Sequence, residues 1–142
     1  MRLPMKLFVL CLALGLCSCS TTSFDPRLNG RWISNREQTL AAAFPQNGAA
    51  ARKSTLDVKT MEQILGKLRL TFDGNQVTTQ YEDRVETFTY KVVTRGDDFA
   101  LIETRSDGSR VRQRIEFTKN KQGYWAETPM GYKEKFDKVA AP

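Results

Sequence analysis

The chain has 142 residues, 22 basic and 16 acidic side chains, a formal charge of +6, three cysteines and no histidine. Without histidine, Ser-His-Asp and Cys-His catalysis, histidine metal sites and histidine pH switching are excluded. The cysteines all lie at or before Cys19, so the rest of the chain has no disulfide, thiol nucleophile or thiolate metal ligand, although an oxidising compartment would permit disulfides.

The first element is a basic opening, Met1-Arg2-Leu3-Pro4-Met5-Lys6, followed by an apolar run from Leu7 to Leu16. A spanning helix needs roughly 20 apolar residues, so this run suits the core of a signal peptide. Leu16-Cys17-Ser18-Cys19 follows, and the chain turns polar at Ser20-Thr21-Thr22-Ser23. Leucine, a tolerant position, a small residue and then cysteine resemble the lipobox of bacterial lipoproteins. The resemblance implies that residues 1–18 are a signal peptide and that Cys19 becomes the first mature residue. It would carry a diacylglyceryl thioether and an amide-linked acyl chain such as palmitate. Each buried CH₂ contributes roughly 0.8 kcal/mol and stable anchoring takes more than one chain, which Cys19 would have. Ser20, rather than an aspartate, after the cysteine implies an outer-membrane anchor facing the periplasm. An ordinary cleaved secretory signal is the other reading of the segment. Loss of Arg2 and Lys6 leaves a mildly basic mature chain, suited to anionic lipid or polysaccharide; nucleic acid is not an expected partner in the envelope.

Residues 19–28 read as a lipidated N-terminus and tether, with a turn at Asp25-Pro26. Residues 29–142 are about the size of one domain and can bury roughly two-thirds of their unfolded surface. Asn29-Gly30-Arg31-Trp32-Ile33-Ser34 is a turn entering a strand. Ser34-Asn35-Arg36-Glu37 fits a capping box, opening a short helix through Thr39–Phe44 that stops at Pro45. Ala49–Thr55 is ambiguous. Val58, Met61, Ile64 and Leu65 share one helical face, which predicts a second helix over Leu56–Leu65 with Gly66 as its stop.

From Lys67 the hydrophobic period changes to two. Leu68, Leu70 and Phe72 alternate with polar residues, and Asp73-Gly74-Asn75 signals a hairpin. Val77, Thr79 and Tyr81 continue the pattern to a turn at Glu82-Asp83-Arg84. Phe88, Tyr90 and Val92 lead to a turn at Arg95–Asp98. Phe99–Thr104 is a strand, Ser106–Ser109 a turn, and Val111, Gln113, Ile115 and Phe117 alternate with Arg110, Arg112, Arg114 and Glu116. Lys119–Gly123 turns into Tyr124–Glu127, and a last strand runs from Tyr132 to Val139. The expected fold is mainly β: an antiparallel up-and-down meander of about eight strands, with two short helices between the first and second.

A first strand bearing Gly30-x-Trp32, two short helices and then a meander resemble the lipocalin and fatty-acid-binding (calycin) architecture. The resemblance implies a barrel or half-barrel whose end is plugged by Trp32, with helices over its mouth. A meander with its helices packed across an open sheet is the alternative.

Three groups of side chains are candidates for function. Trp32, Phe72, Tyr81, Phe88, Tyr90, Phe99 and Phe117, with Phe136, either line a pocket for a lipid or other hydrophobic ligand or fill a solid core. Arg110, Arg112 and Arg114 share one face of a strand, with Arg105 nearby. They either bind phosphates or carboxylates of an anionic surface or form a solvated face paired with Glu86 or Glu103. Tyr124-Trp125 and Met130-Gly131-Tyr132 either form a partner-binding edge or complete the core. The adjacent acids Glu82-Asp83 and Asp97-Asp98 read as turn chemistry. No catalytic residue, metal site or cofactor is expected. The leading expectation is a non-enzymatic, membrane-anchored binder of an apolar or amphiphilic molecule, and the alternative is an envelope interaction or assembly module without a ligand cavity.

Overall fold

The computed structural model describes residues 23–45 and 57–141. The lipobox, Cys19, the remaining tether residues before Ser23 and the ambiguous stretch 49–55 lie outside the described residues.

Eight strands follow one another around a closed barrel. They are β1 (Gly30–Ser34), β2 (Leu68–Asp73), β3 (Gln76–Tyr81), β4 (Arg84–Arg95), β5 (Phe99–Ser106), β6 (Ser109–Phe117), β7 (Gly123–Glu127) and β8 (Lys133–Val139). Each pairs antiparallel with the next, and β8 pairs back onto β1 through Arg31↔Val139 to Ser34↔Phe136. Helices α1 (Arg36–Ala43) and α2 (Val58–Ile64) lie between β1 and β2. The expected meander is therefore present. Closure decides between barrel and open sheet: no strand among the eight is left with a free edge.

The turns have the chemistry that tight reversals need. Gly74 and Gly108 adopt left-handed backbone angles, as do Glu82 and Asp107, each in a turn joining consecutive strands. β4 carries an irregularity between Val92 and Thr94, and a bulge there bends a 12-residue strand around the barrel.

The helix starts differ from the capping box expected at Ser34. Asn35 is the cap of α1, its side chain accepting from Gln38 N, while Ser34 is the last residue of β1. The reason is competition: the Ser34 hydroxyl is held by Glu134 on β8. Asp57 caps α2 by accepting from Thr60 N, so this helix starts later than Leu56.

Side chains that alternate inward form the main core of Leu28, Trp32, Phe72, Val77, Tyr90, Ala100, Ile102, Ile115, Phe117, Tyr124, Ala126 and Phe136. A second, smaller cluster of Met61, Leu65 and Tyr132, with Leu40, Ala43, Phe44 and Ile64, glues the two helices to each other and to the β7–β8 connection. The two ends of the barrel thus differ. The base is where β1 begins and β8 ends; the mouth is where β1 passes into the helices.

Gly30 explains why glycine precedes the buried tryptophan in this strand. Its φ is +119, and a Cβ there would lie 3.1 Å from Lys138 Cε. Without that Cβ, the Lys138 side chain can cross the strand and place its ammonium 5.2 Å from the Trp32 ring centroid.

Candidate functional site

The base is sealed by the segment preceding β1. A 3₁₀ turn over Pro26–Leu28 drops Leu28 into the core, and Trp32 Nε1 donates to Leu28 O at 2.7 Å. Trp32 itself is fully buried, in edge contact with Tyr124 at 4.7 Å between centroids. Asp25, also buried, holds the Arg27 guanidinium through both carboxylate oxygens. The remaining donors of Arg27 bind the carbonyls of Gly96, Asp97 and Phe99 on the β4–β5 connection, and its guanidinium lies 4.5 Å from the Phe117 centroid. Burial pushes the Asp25 carboxyl up, but the Arg27 hydrogen bonds and charge outweigh it and leave it below its ordinary value. An open cleft of about 430 Å³ lies outside this seal, lined by Asp25, Pro26, Arg27, Arg95, Gly96 and Asp97.

The mouth half is packed less tightly. Leu68, Leu70 and Phe88 pack against the core but remain partly exposed, as do the inward positions Thr79, Tyr81 and Gln113. Lys67 pairs with Glu82 at 2.7 Å and Arg84 with Glu86 at 3.3 Å, so these two cations near the opening are matched by acids. Val58, Val85 and Val111, in elements at this end, and Met130, in the β7–β8 connection, are each more than 40% exposed.

Beneath the helices sits a polar group that the apolar pattern hides. Glu134 pairs with Ala126, which pairs with Ile115, so its side chain points inward with them. It is only 8% exposed. Ser34 Oγ lies 2.5 Å from Glu134 Oε1 and accepts from Gly66 N at 3.1 Å. In the first of these contacts the serine hydroxyl donates to the carboxyl. Burial raises the Glu134 carboxyl above its usual value, partly offset by Ser34. Burial, with the nearby Glu134 charge, also pushes Tyr132 up to about 12 and Tyr124 well above the usual phenol range.

Trp32, Phe72, Tyr90 and Phe117 are buried in the core towards the base, whereas Tyr81 and Phe88 belong to the looser mouth half. Phe99 is not an interior residue. It pairs with Glu116, and the Arg114 guanidinium lies 4.2 Å from its centroid on the outer wall. The strand begins with an outward residue, and the buried partner is Ala100; a run as apolar as Phe99-Ala100-Leu101-Ile102 hides which parity faces in.

Arg105, Arg110, Arg112 and Arg114 do share the outer wall of β5 and β6. Arg112 binds Glu103 at 3.1 Å, Lys91 approaches the other Glu103 oxygen at 3.3 Å, and Arg114 binds Glu116 at 3.1 Å. Arg105 and Arg110 face each other directly across the strands, and among the described residues neither has an acidic partner. Of the C-terminal aromatics, Tyr124 completes the main core and Tyr132 the second cluster. Trp125 pairs with Glu116 and Lys135 on the outer wall.

Glu134 and Ser34 were not identified as site residues from the sequence. The available signal was parity: in Lys133-Glu134-Lys135-Phe136, an acid falls in phase with a phenylalanine. Among the described residues there is no group of acids able to hold a metal ion, and no helix is long and apolar enough to cross a membrane. The chain matches no protein-family model, and no curated protein matches it.

Proposed function

We propose that the protein is a lipoprotein of the bacterial envelope, anchored through Cys19, whose barrel takes an apolar or amphiphilic small molecule through its mouth. It acts as a binder rather than an enzyme. The carrying observation is the asymmetry of the interior: a base sealed by Trp32, Leu28 and Arg27, and a mouth half in which Leu68, Leu70, Tyr81 and Phe88 stay partly exposed. Apolar walls with few polar groups are the chemistry of small-molecule sites. A barrel of eight strands can be filled by its own side chains or hold one small ligand, and the looser mouth half favours the latter. The lipobox-like Leu16-Cys17-Ser18-Cys19 supports the anchor. Ser23 lies at the base, where its carbonyl accepts from Val92 N. Three residues lie between it and Cys19, a reach of about 14 Å over four Cα–Cα steps, so an anchor there keeps the base towards the membrane and the mouth towards the periplasm.

A second reading rests on a different observation. Val58, Val85, Val111 and Met130 form apolar points around the mouth, which suits a docking partner in the envelope rather than a ligand.

Native mass spectrometry of the domain starting at Ser20, purified from a bacterial periplasm, separates the two. A lipid-sized adduct lost on denaturation supports the ligand barrel. An apo mass that takes up no added amphiphile favours the docking module. Metabolic labelling of the full chain with an alkyne fatty acid, compared with Cys19→Ala, tests the anchor.

A further inference from the structure

The interior has a polar end whose chemistry discriminates among amphiphiles. Glu134 points inward from β8 with one carboxyl oxygen taken by Ser34. Ser34 Oγ donates to this oxygen and accepts from Gly66 N, which holds the Glu134 carboxyl in one orientation. The two tyrosines that feel its charge, Tyr124 and Tyr132, are buried, and among the described residues neither hydroxyl has a hydrogen-bond partner. Among the described residues the fully buried side-chain polar atoms without a hydrogen-bond partner are Asn29 Oδ1 and Glu103 Oε1, so the two hydroxyls and the second Glu134 oxygen are unpaired yet still accessible.

Among the described residues no cation is paired with Glu134. Arg84 is in register with the inward Tyr81, but its side chain is 82% exposed and tied to Glu86. Lys138 lies at the base over Trp32, and Arg27 is committed to Asp25 and three carbonyls. A carboxylate ligand brought to Glu134 forces one of the two acids to keep a proton, because like charges at close range disfavour double ionisation. An alcohol can donate to Glu134 and accept from a tyrosine. An ammonium can pair with the ionised acid.

We propose that Glu134, with Ser34 and the hydroxyls of Tyr124 and Tyr132, forms a head-group site for amphiphiles whose polar end donates hydrogen bonds and carries no negative charge, alcohols or amines, and that it rejects fatty-acid carboxylates. This rests on the ligand-barrel reading and names the ligand class within it.

The test is displacement of the neutral apolar probe N-phenylnaphthylamine from the domain starting at Ser20 by dodecanol, dodecylamine and dodecanoate, at about pH 8, where a free fatty acid is ionised. The expected result is displacement by the alcohol and the amine, with dodecanoate at least about tenfold weaker, the equivalent of one pKa unit of like-charge penalty. In Glu134→Gln the amine should weaken and dodecanoate should gain, narrowing the gap. Dodecanoate binding as well as dodecanol in the wild type, or unchanged preferences in a folded Glu134→Gln, overturns the head-group site while leaving a ligand barrel. Failure of the probe and all three compounds to bind overturns the barrel reading and this proposal together. If the amide variant does not fold, the wild-type panel alone decides the point.

Discussion

Ser34 and Glu134 are 100 residues apart in sequence and 2.5 Å apart in the fold, bridging the end of β1 to the start of β8. The bond is buried, and its acid is one whose neutral form the folded state prefers. For an acid with a raised folded-state value, the stabilising contribution is complete below the unfolded value and is lost as pH rises through the folded one. Glu134 therefore costs stability as it ionises. Denaturant midpoints measured from acid to mildly alkaline pH should show the difference between wild type and Glu134→Gln growing in favour of the amide above the ordinary glutamate range. A constant difference would mean that Glu134 ionises as readily folded as unfolded.

Asp25 behaves in the opposite sense. Its carboxyl is held below the usual range, so its contribution is present at neutral pH and fades as pH falls through that lowered value. Arg27→Ala leaves a buried carboxylate without its cation and frees the carbonyls of Gly96, Asp97 and Phe99. Removing one partner of a buried pair costs about 3–5 kcal/mol, and a quarter-exposed Arg27 places this case at or below the low end. Chemical denaturation checks the loss. Asp25→Asn combined with Arg27→Ala should recover part of it, since the uncompensated charge is gone.

Trp32→Ala should destabilise the domain by about 3–5 kcal/mol, the range for large aromatic truncations in cores. Trp32 is fully buried, touches Tyr124 and donates to Leu28 O. An unchanged denaturation midpoint would remove Trp32 from its role as the plug of the base. Trp32→Phe, which keeps most of the ring but not the donor, should lose less.

The arginine wall gives a prediction of the opposite sign. Arg105 and Arg110 stand directly opposite each other, and like charges so placed are destabilising. Arg110→Glu converts the pair to an attractive one and should raise stability by about 0.2–1 kcal/mol, an effect that shrinks with added salt. The same variant should bind phosphatidylglycerol vesicles less well than wild type. Arg112 is the poorer choice for this experiment, because a glutamate there would confront the buried Glu103 that Arg112 now pairs with.

Much of this fold is written in short-range patterns. The alternation of Leu68, Leu70 and Phe72, and the glycine turns at Gly74 and Gly108, place strands and reversals using only neighbouring residues. What they omit is set by distant partners. Ser34 resembles a helix cap because nothing near it reveals Glu134. Phe99 resembles a pocket residue because the three residues after it are all apolar, and only the pairing of Ala100 with Ile115 fixes which face is inside. The arginine row was legible as a face; that Glu103 would serve both Arg112 and Lys91 depended on strand register. The polar end of the interior escaped notice because an acid between two lysines looks like surface.

Closure of the barrel also sets the order in which the chain can mature. Residues of β1 find β8 only across most of the sequence, as Asn35 Nδ2 finds Asp137 Oδ2 at a separation of 102 residues. Pairings between strands β2 to β6 are hairpins and can form as the chain emerges, but the seam between first and last strands waits for the final segment. Long-range pairing of this kind slows folding, so the seam is expected to be a late step. Until it forms, β1 presents an unpaired edge and the Trp32 side chain lacks its Tyr124 and Phe136 neighbours. Until then that edge is open to pairing with other chains, so the interval before the seam closes is when the chain is most exposed to aggregation.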